Sequence, residues 1–160
     1  MMIRPATPDD AAAIAALILP EIAAGETYAL PRDMSAAAAV AYWCSPDRQT
    51  FVVEDQGRLL GSYYLRANQA GGGDHVANAG YMVEPAARGR GIARAMASDS
   101  FDRARAAGFT AMQFNFVVSS NAGAVALWQA LGFAIVGRLP GAFRHPTLDA
   151  VDALVMFRTL

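Results

Sequence analysis

Chemistry is most legible in the stretch Tyr81-Met82-Val83-Glu84-Pro85-Ala86-Ala87-Arg88-Gly89-Arg90-Gly91-Ile92-Ala93-Arg94. A strand-like run ends, Pro85 breaks it, and two glycines lead straight into a helix. Glycines at such a turn let backbone N–H groups approach an anion without interference from Cβ, and the helix N-terminus adds a favourable dipole. That is a phosphate or pyrophosphate cradle, around which Arg88, Arg90 and Arg94 could add charge. Taken alone, it is equally a tight strand-to-helix corner. It is not a Walker A loop, since no Gly-Lys-Ser/Thr follows, and the dinucleotide pattern G-x-G-x-x-G is incomplete.

Other residues could act on a substrate, each with a plainer reading beside it. His75, with Asp74, precedes the strand that leads to Val83, and a solvated surface pair is the simpler account. Glu84 ends that strand. Glu26 and Tyr28 lie in the connector Gly25–Asp33. Asn115 interrupts the apolar strand Met112–Val118; facing inward it would need polar partners, and facing outward it would only follow the strand's alternation. Phe143-Arg144-His145-Pro146 could read an anionic acceptor or be a packed turn. Cys44 reads as a small apolar residue at a helix end, and Trp43, Tyr63 and Tyr64 as core and strand residues.

These candidates need elements to position them. Met2–Arg4 reads as a first strand. Ala11–Ala23, with Ile14, Leu17, Ile18 and Ile22 on one face, reads as a helix that Pro20 should kink or break. Ser35 can cap an Ala-rich helix ending near Cys44. Thr50–Glu54 and Leu59–Leu65 form a hairpin about Asp55–Arg58, and Val76–Val83 is the next strand. A helix over Gly89–Ala107 stops at Gly108, Thr110–Val118 alternates as a strand, and Asn121–Leu131 is a shorter helix before Gly132. Phe133–Arg138 and Val151–Arg158 are strands, with a loop over Leu139–Leu148 between them. The order predicts an α/β fold, a mixed sheet with helices on both faces, in one domain over residues 1–160.

Composition excludes several classes. The chain has 160 residues, 54% of them hydrophobic, with 35 alanines, a net charge of −1 and one cysteine. Its pI is about 6.1 and its mean hydropathy +0.24. No strongly basic face suggests nucleic acid. No run approaches the ~18 to 20 apolar residues of a membrane span. The opening residues lack an apolar signal segment, so a cytoplasmic protein is expected. One cysteine permits neither an internal disulfide nor a zinc site built on two or more thiolates, and no metal is expected. All 13 basic residues are Arg, so Schiff-base and P-loop lysine chemistry are excluded.

A second segment, Ser120-Asn121-Ala122-Gly123-Ala124-Val125-Ala126-Leu127-Trp128-Gln129-Ala130-Leu131-Gly132-Phe133, follows a strand and forms a capped helix. With it, the chain resembles the GNAT superfamily of N-acetyltransferases over nearly its whole length. Arg88, Gly91 and Ala93 match that family's Arg/Gln-x-x-Gly-x-Gly/Ala motif. Asn121 to Phe133 matches its Asn-x-x-Ala-x-x-Leu-Tyr-x-x-x-Gly-Phe motif, except that Trp128 stands where the family usually has Tyr.

The resemblance implies a mostly antiparallel sheet of the GNAT type and acetyl-CoA as cosubstrate. The turn Arg88, Gly89, Arg90, Gly91, Ile92, Ala93 and Arg94 would bind the pyrophosphate. Met82 and Val83 would hydrogen-bond the pantetheine arm through their backbone, in a cleft where Tyr81–Val83 and Gln113–Val117 splay apart. An N–H near Val83 would hold the developing oxyanion. Asn121 would contact the pantetheine, cap its helix, or both. Trp128 would line the cofactor site without supplying the proton that the usual Tyr gives the leaving thiolate. Glu26, Tyr28 and Asn115 would meet the acceptor, a small-molecule amine such as an amino acid or analogue. The catalytic base is not identified.

A finer resemblance joins FNFVVSSNAGAVALWQALGF, GRLPGAFRHP and VDALVMF to a bacterial branch similar to proline-analogue acetyltransferases, which would make Asn115 and Asn121 contacts to a small amino acid. Family members are often homodimers, although nothing in this sequence marks an interface. The alternatives are a protein N-acetyltransferase, a non-catalytic acyl-CoA-binding domain, for which Trp128 is the supporting feature, and a nucleotide-phosphate-binding module, which leaves the Asn121–Phe133 motif unexplained.

Overall fold

The structure, a computed structural model, describes residues 1–160. Seven strands form one sheet: β1 (Met2–Pro5), β2 (Gln49–Asp55), β3 (Arg58–Ala67), β4 (Val76–Val83), β5 (Ala111–Val118), β6 (Ala134–His145) and β7 (Asp149–Thr159). Their spatial order is β1-β2-β3-β4-β5-β7-β6, and every neighbouring pair is antiparallel except β4 and β5. The four helices are α1 (Ala11–Ala24), α2 (Ala36–Trp43), α3 (Ile92–Ala106) and α4 (Ala122–Ala130). No helix is long and apolar enough to cross a membrane.

Alternation along β2 and β3 divides the core into two layers, as a period of two requires. Val52 and Tyr64 face α1 and α2, where they meet Ile14, Leu17, Ile18, Ile22 and Trp43. Phe51, Val53, Tyr63 and Leu65 face the opposite side, with Ile92, Met96 and Phe101 of α3 and Trp128 of α4. A polar link is buried in the first layer. Trp43 Nε1 donates to Ser62 Oγ at 2.9 Å, and that hydroxyl donates to the Phe51 carbonyl at 2.7 Å.

Three expectations are corrected. Pro20 does not break α1, which runs unbroken to Ala24 and stops at Gly25, φ +67°. Pro20 and Ala16 both lie on the exposed side, so water can satisfy the carbonyl that the missing N–H leaves free. The predicted loop from Leu139 is also largely strand. β6 continues to His145 and pairs with β7 through an irregularity between Leu139 and Phe143. Pro140 is tolerated because β6 is an edge strand, and Asp152 Oδ1 accepts the Gly141 N–H at 2.9 Å. The helix predicted from Gly89 begins at Ile92, which leaves Gly89–Gly91 as a free turn.

Arg4 anchors the start of α1 to the sheet. Its guanidinium donates to both carboxylate oxygens of Asp10, at 2.8 and 2.9 Å, and to Glu54 Oε2. Asp10 also accepts the Thr7 N–H. Chiefly through the Arg4 hydrogen bonds, its carboxyl is held down at about 2. A folded-state pKa below the ordinary value means stability that is present above ~4 and lost as pH falls towards ~2. Asp10→Asn should therefore destabilise the fold by about 1–2 kcal/mol at neutral pH. In urea titrations from pH 7 to pH 2, the gap to the parent should narrow with acidification; a constant gap would contradict this account.

Candidate active site

β4 and β5 pair only at Val76–Ala111 and Ala77–Met112, then separate. The wedge between them opens into a cleft of about 780 Å³, a size ordinary for small-molecule sites. The strands' unpaired backbone groups need partners. Asn78 Nδ2 donates to the Gln113 carbonyl across the gap at 3.0 Å. Tyr28, from the α1–α2 connector, places one hydroxyl against both backbone groups of Tyr81, accepting from its N–H at 3.0 Å and donating to its carbonyl at 2.9 Å. Burial pushes this phenol well above its usual range.

The phase of the β3–β4 ladder decides which backbone groups reach the cleft. Glu84 N–H donates to Leu60 O. Hydrogen-bonded pairs alternate in antiparallel sheets, so Met82 exchanges its bonds with Ser62, its partner in register. The expectation that Met82 offers backbone groups to the cleft is corrected accordingly; only its buried side chain borders it. Val83, of opposite parity, directs its N–H and carbonyl towards the splayed side, and neither has a backbone partner.

Beyond Val83 the chain passes through one short helical turn, Pro85–Ala87, into Arg88–Gly91. Gly89 and Gly91 adopt φ of +77° and +76° with open space where a Cβ would stand. Backbone conformation, not crowding, is what demands glycine here. The N–H groups of Gly89, Arg90, Gly91, Ile92, Ala93 and Arg94 find no acceptor in the protein. No acidic residue occupies the first turn of α3, so the positive helix end is uncompensated.

Of the residues singled out in the sequence, Met82, Val83, Arg88, Gly89, Ala93, Asn121, Trp128, Glu26, Tyr28 and Asn115 border the cleft. Arg90, Gly91, Ile92 and Arg94 do not, and the Ile92 side chain is buried in the core. Arg88 pairs with Glu21, and Arg90 with Asp55. Asn121 caps α4 through a long 3.4 Å bond to the Ala124 N–H. Trp128 packs against Tyr81 and Phe114, ring centroids 5.0 and 4.8 Å away. Asn115 is exposed and already engaged, accepting from Gln113 Nε2 and donating to Asn68.

His75 sits at the closed end of the splay, where its carbonyl accepts the Thr110 N–H. At strand rise it is roughly 26 Å from Val83. Glu84 pairs with Arg58 away from the cleft. His145 does line the cleft, from the end of β6 and not from a loop. Sequence reasoning missed Arg66, Asn78 and Tyr42 as lining residues. Only alternation along the strand could have grouped Arg66 with Tyr64, and nothing local marks Tyr42.

Tyr28→Phe would remove the only partner of two backbone groups. It should cost about 1–3 kcal/mol in urea unfolding and turn the Tyr81 amide from slow to fast hydrogen exchange. An unchanged exchange rate would show that the hydroxyl does not hold that strand edge.

The sequence model of the acetyltransferase (GNAT) family matches residues 18–133. Over 100 residues the chain is 33% identical to the N-acetyltransferase aca1 of Schizosaccharomyces pombe, a match covering 62% of this chain and 48% of that protein. It therefore spans about half the length of that relative. A GCN5-related N-acetyltransferase from Kribbella flavida has the same fold at TM-score 0.94 and 43% identity, over 99% of this chain and 97% of that one. A GNAT superfamily phosphinothricin acetyltransferase from Sinorhizobium meliloti, solved in complex with AcCoA, shares the fold at TM-score 0.86 and 22% identity, over 99% and 88% of the two chains. The cleft between diverging strands thus lies in a chain that belongs to the acetyltransferase (GNAT) family.

Proposed function

We propose that the protein transfers the acetyl group of acetyl-CoA to a primary or secondary amine of a small molecule by direct attack. The observation that carries this reading is the run of six unpartnered N–H groups from Gly89 to Arg94 at the end of the strand whose Val83 backbone faces the cleft. The cradle takes the pyrophosphate on backbone donors and the helix dipole. The amide-bearing pantetheine arm then lies along the free edge of β4 as an added strand, bonded to Val83.

In the transfer, the amine lone pair forms a C–N bond to the thioester carbonyl carbon. The C–S bond breaks, and the thiolate leaves with its electron pair. An N–H on the splayed side of β4, that of Val83, meets the oxyanion. The amine's proton passes to water or to Glu26, the one carboxylate lining the cleft that no arginine holds. The indole of Trp128 gives up no proton, and a thiol of pKa about 8.5 leaves acceptably without one. A non-catalytic acyl-CoA-binding role is the second reading, favoured by Trp128 alone; it predicts binding without turnover. For a homodimer, the apolar surface on offer is Ile135, Val136 and Leu139 on the edge strand β6.

Calorimetric titration with acetyl-CoA, CoA and ATP, on the parent and on Gly91→Glu, tests the reading. Micromolar binding of both CoA species, none of ATP, and loss of binding in a variant with unchanged circular dichroism are the expected results. A folded parent that binds neither CoA species would overturn the proposal.

A further inference from the structure

Val83 is not the only residue of β4 whose backbone turns towards the splay. Tyr81 has the same parity, yet the Tyr28 hydroxyl takes both its groups, accepting the N–H at 3.0 Å and donating to the carbonyl at 2.9 Å. One hydroxyl thus does at Tyr81 what the peptide of a neighbouring strand does elsewhere in a sheet, and the edge open to an added strand ends there. The hydroxyl is braced from behind. The Tyr28 ring meets Trp43 edge-on, centroids 5.9 Å apart, and packs against the core beneath α1 and α2. Trp43 is itself buried and tied to Ser62.

The arm of a bound acyl-CoA would approach this hydroxyl acyl group first. Its pyrophosphate end belongs to the unpartnered N–H groups of Gly89–Arg94, beyond the C-terminal end of β4, so the arm runs back along the strand, past Val83 towards Tyr81. With the thioester carbonyl on the Val83 N–H, the sulfur lies on the side of the glycine turn and the acyl carbons point the other way. Val83 and Tyr81 are about 7 Å apart along the strand, and a carbon atom needs about 3.5 Å from the hydroxyl oxygen; the remaining ~3.5 Å takes the methyl of an acetyl group and roughly one methylene more. On the α3–α4 face the passage is closed by Trp128 and Phe114, which pack on the Tyr81 ring at 5.0 and 6.0 Å. A longer chain has two courses. It evicts the hydroxyl, which leaves that group and the Tyr81 N–H and carbonyl without partners, or it bends out into the cleft through which the amine must approach.

We infer that Tyr28 sets the length of the acyl group: acetyl and propionyl donors seat fully, and butyryl or longer donors do not. The inference rests on the acetyltransferase reading and deepens it, from CoA thioesters in general to the shortest ones. It assigns Tyr28 to the acyl end of the donor, whereas the resemblance places it at the acceptor.

Calorimetry with CoA and its acetyl, propionyl, butyryl and hexanoyl thioesters tests this on the parent, Tyr28→Phe and Tyr28→Ala. Circular dichroism checks each variant, and each thioester's affinity is taken relative to that of CoA on the same protein. In the parent, the acetyl and propionyl thioesters should bind alike, and the butyryl and hexanoyl thioesters about 10-fold or more weaker. That penalty should shrink in Tyr28→Phe, which keeps the ring, and vanish in Tyr28→Ala. Should Tyr28→Ala not fold, the parent series and Tyr28→Phe still decide. Butyryl-CoA bound by the parent as tightly as acetyl-CoA, or a penalty of the same size in the folded variants, would overturn the inference. A folded parent that binds no CoA species would instead overturn the acetyltransferase reading on which it rests.

Discussion

Two parallel strands that pair for two residues and then part create the site, and they also create a debt of unpaired backbone groups. In a sheet interior every N–H and carbonyl has a neighbour; between β4 and β5 most lose theirs. The protein settles part of this internally, with Asn78 on the Gln113 carbonyl and the Tyr28 hydroxyl on both groups of Tyr81. Val83, nearest the mouth, is left open. An aromatic cluster on the α3–α4 face holds the strands apart: Tyr81 from β4 and Phe114 from β5 both pack on Trp128, and Phe114 stacks on Phe133 at 4.4 Å. Large rings drawn from both strands and from α4 are a rigid wedge, because close-packed side chains resist compression.

The glycine turn proposed to hold the pyrophosphate depends on the same divergence. β4 must end at the mouth of the cleft for α3 to begin there, and positive φ at Gly89 and Gly91 turns the chain within three residues. Two of the arginines that look like phosphate ligands in the sequence are held by Glu21 and Asp55. The positive character of the turn therefore resides chiefly in backbone donors and the helix end, which are fixed in place. Side-chain cations would have to be ordered on binding, at a cost in entropy.

What the sequence revealed was local. The glycine turn, the Asn121 cap and the alternation of β2 to β5 each occupy a few consecutive residues, and each falls where it was expected. What it hid was relational. Met82 and Val83 look equivalent until the β3–β4 ladder assigns them opposite directions. Pro140-Gly141 reads as a turn, and only an unpaired outer edge lets β6 run through it. Arg48 and Arg66 are ordinary surface arginines in the sequence. Packing sets Arg48 between Tyr42 on α2 and Tyr64 on β3 and brings Arg66 to the cleft.

Trp128 shows how little of the proposed chemistry need fall to side chains. Of the tyrosines at the cleft, Tyr28, Tyr64 and Tyr81 are all pushed upward by burial, which makes them worse proton donors to a thiolate than a free phenol. A thiolate is a tolerable leaving group in an open cleft, and a neutral amine is already a good nucleophile. In the proposed transfer the barrier would then fall chiefly through orientation of the two reactants and through a backbone N–H fixed beside the carbonyl oxygen. An enzyme working in this way has its catalytic demands met by strand phase and strand divergence. Its cleft side chains are left free to specialise in which amine they admit.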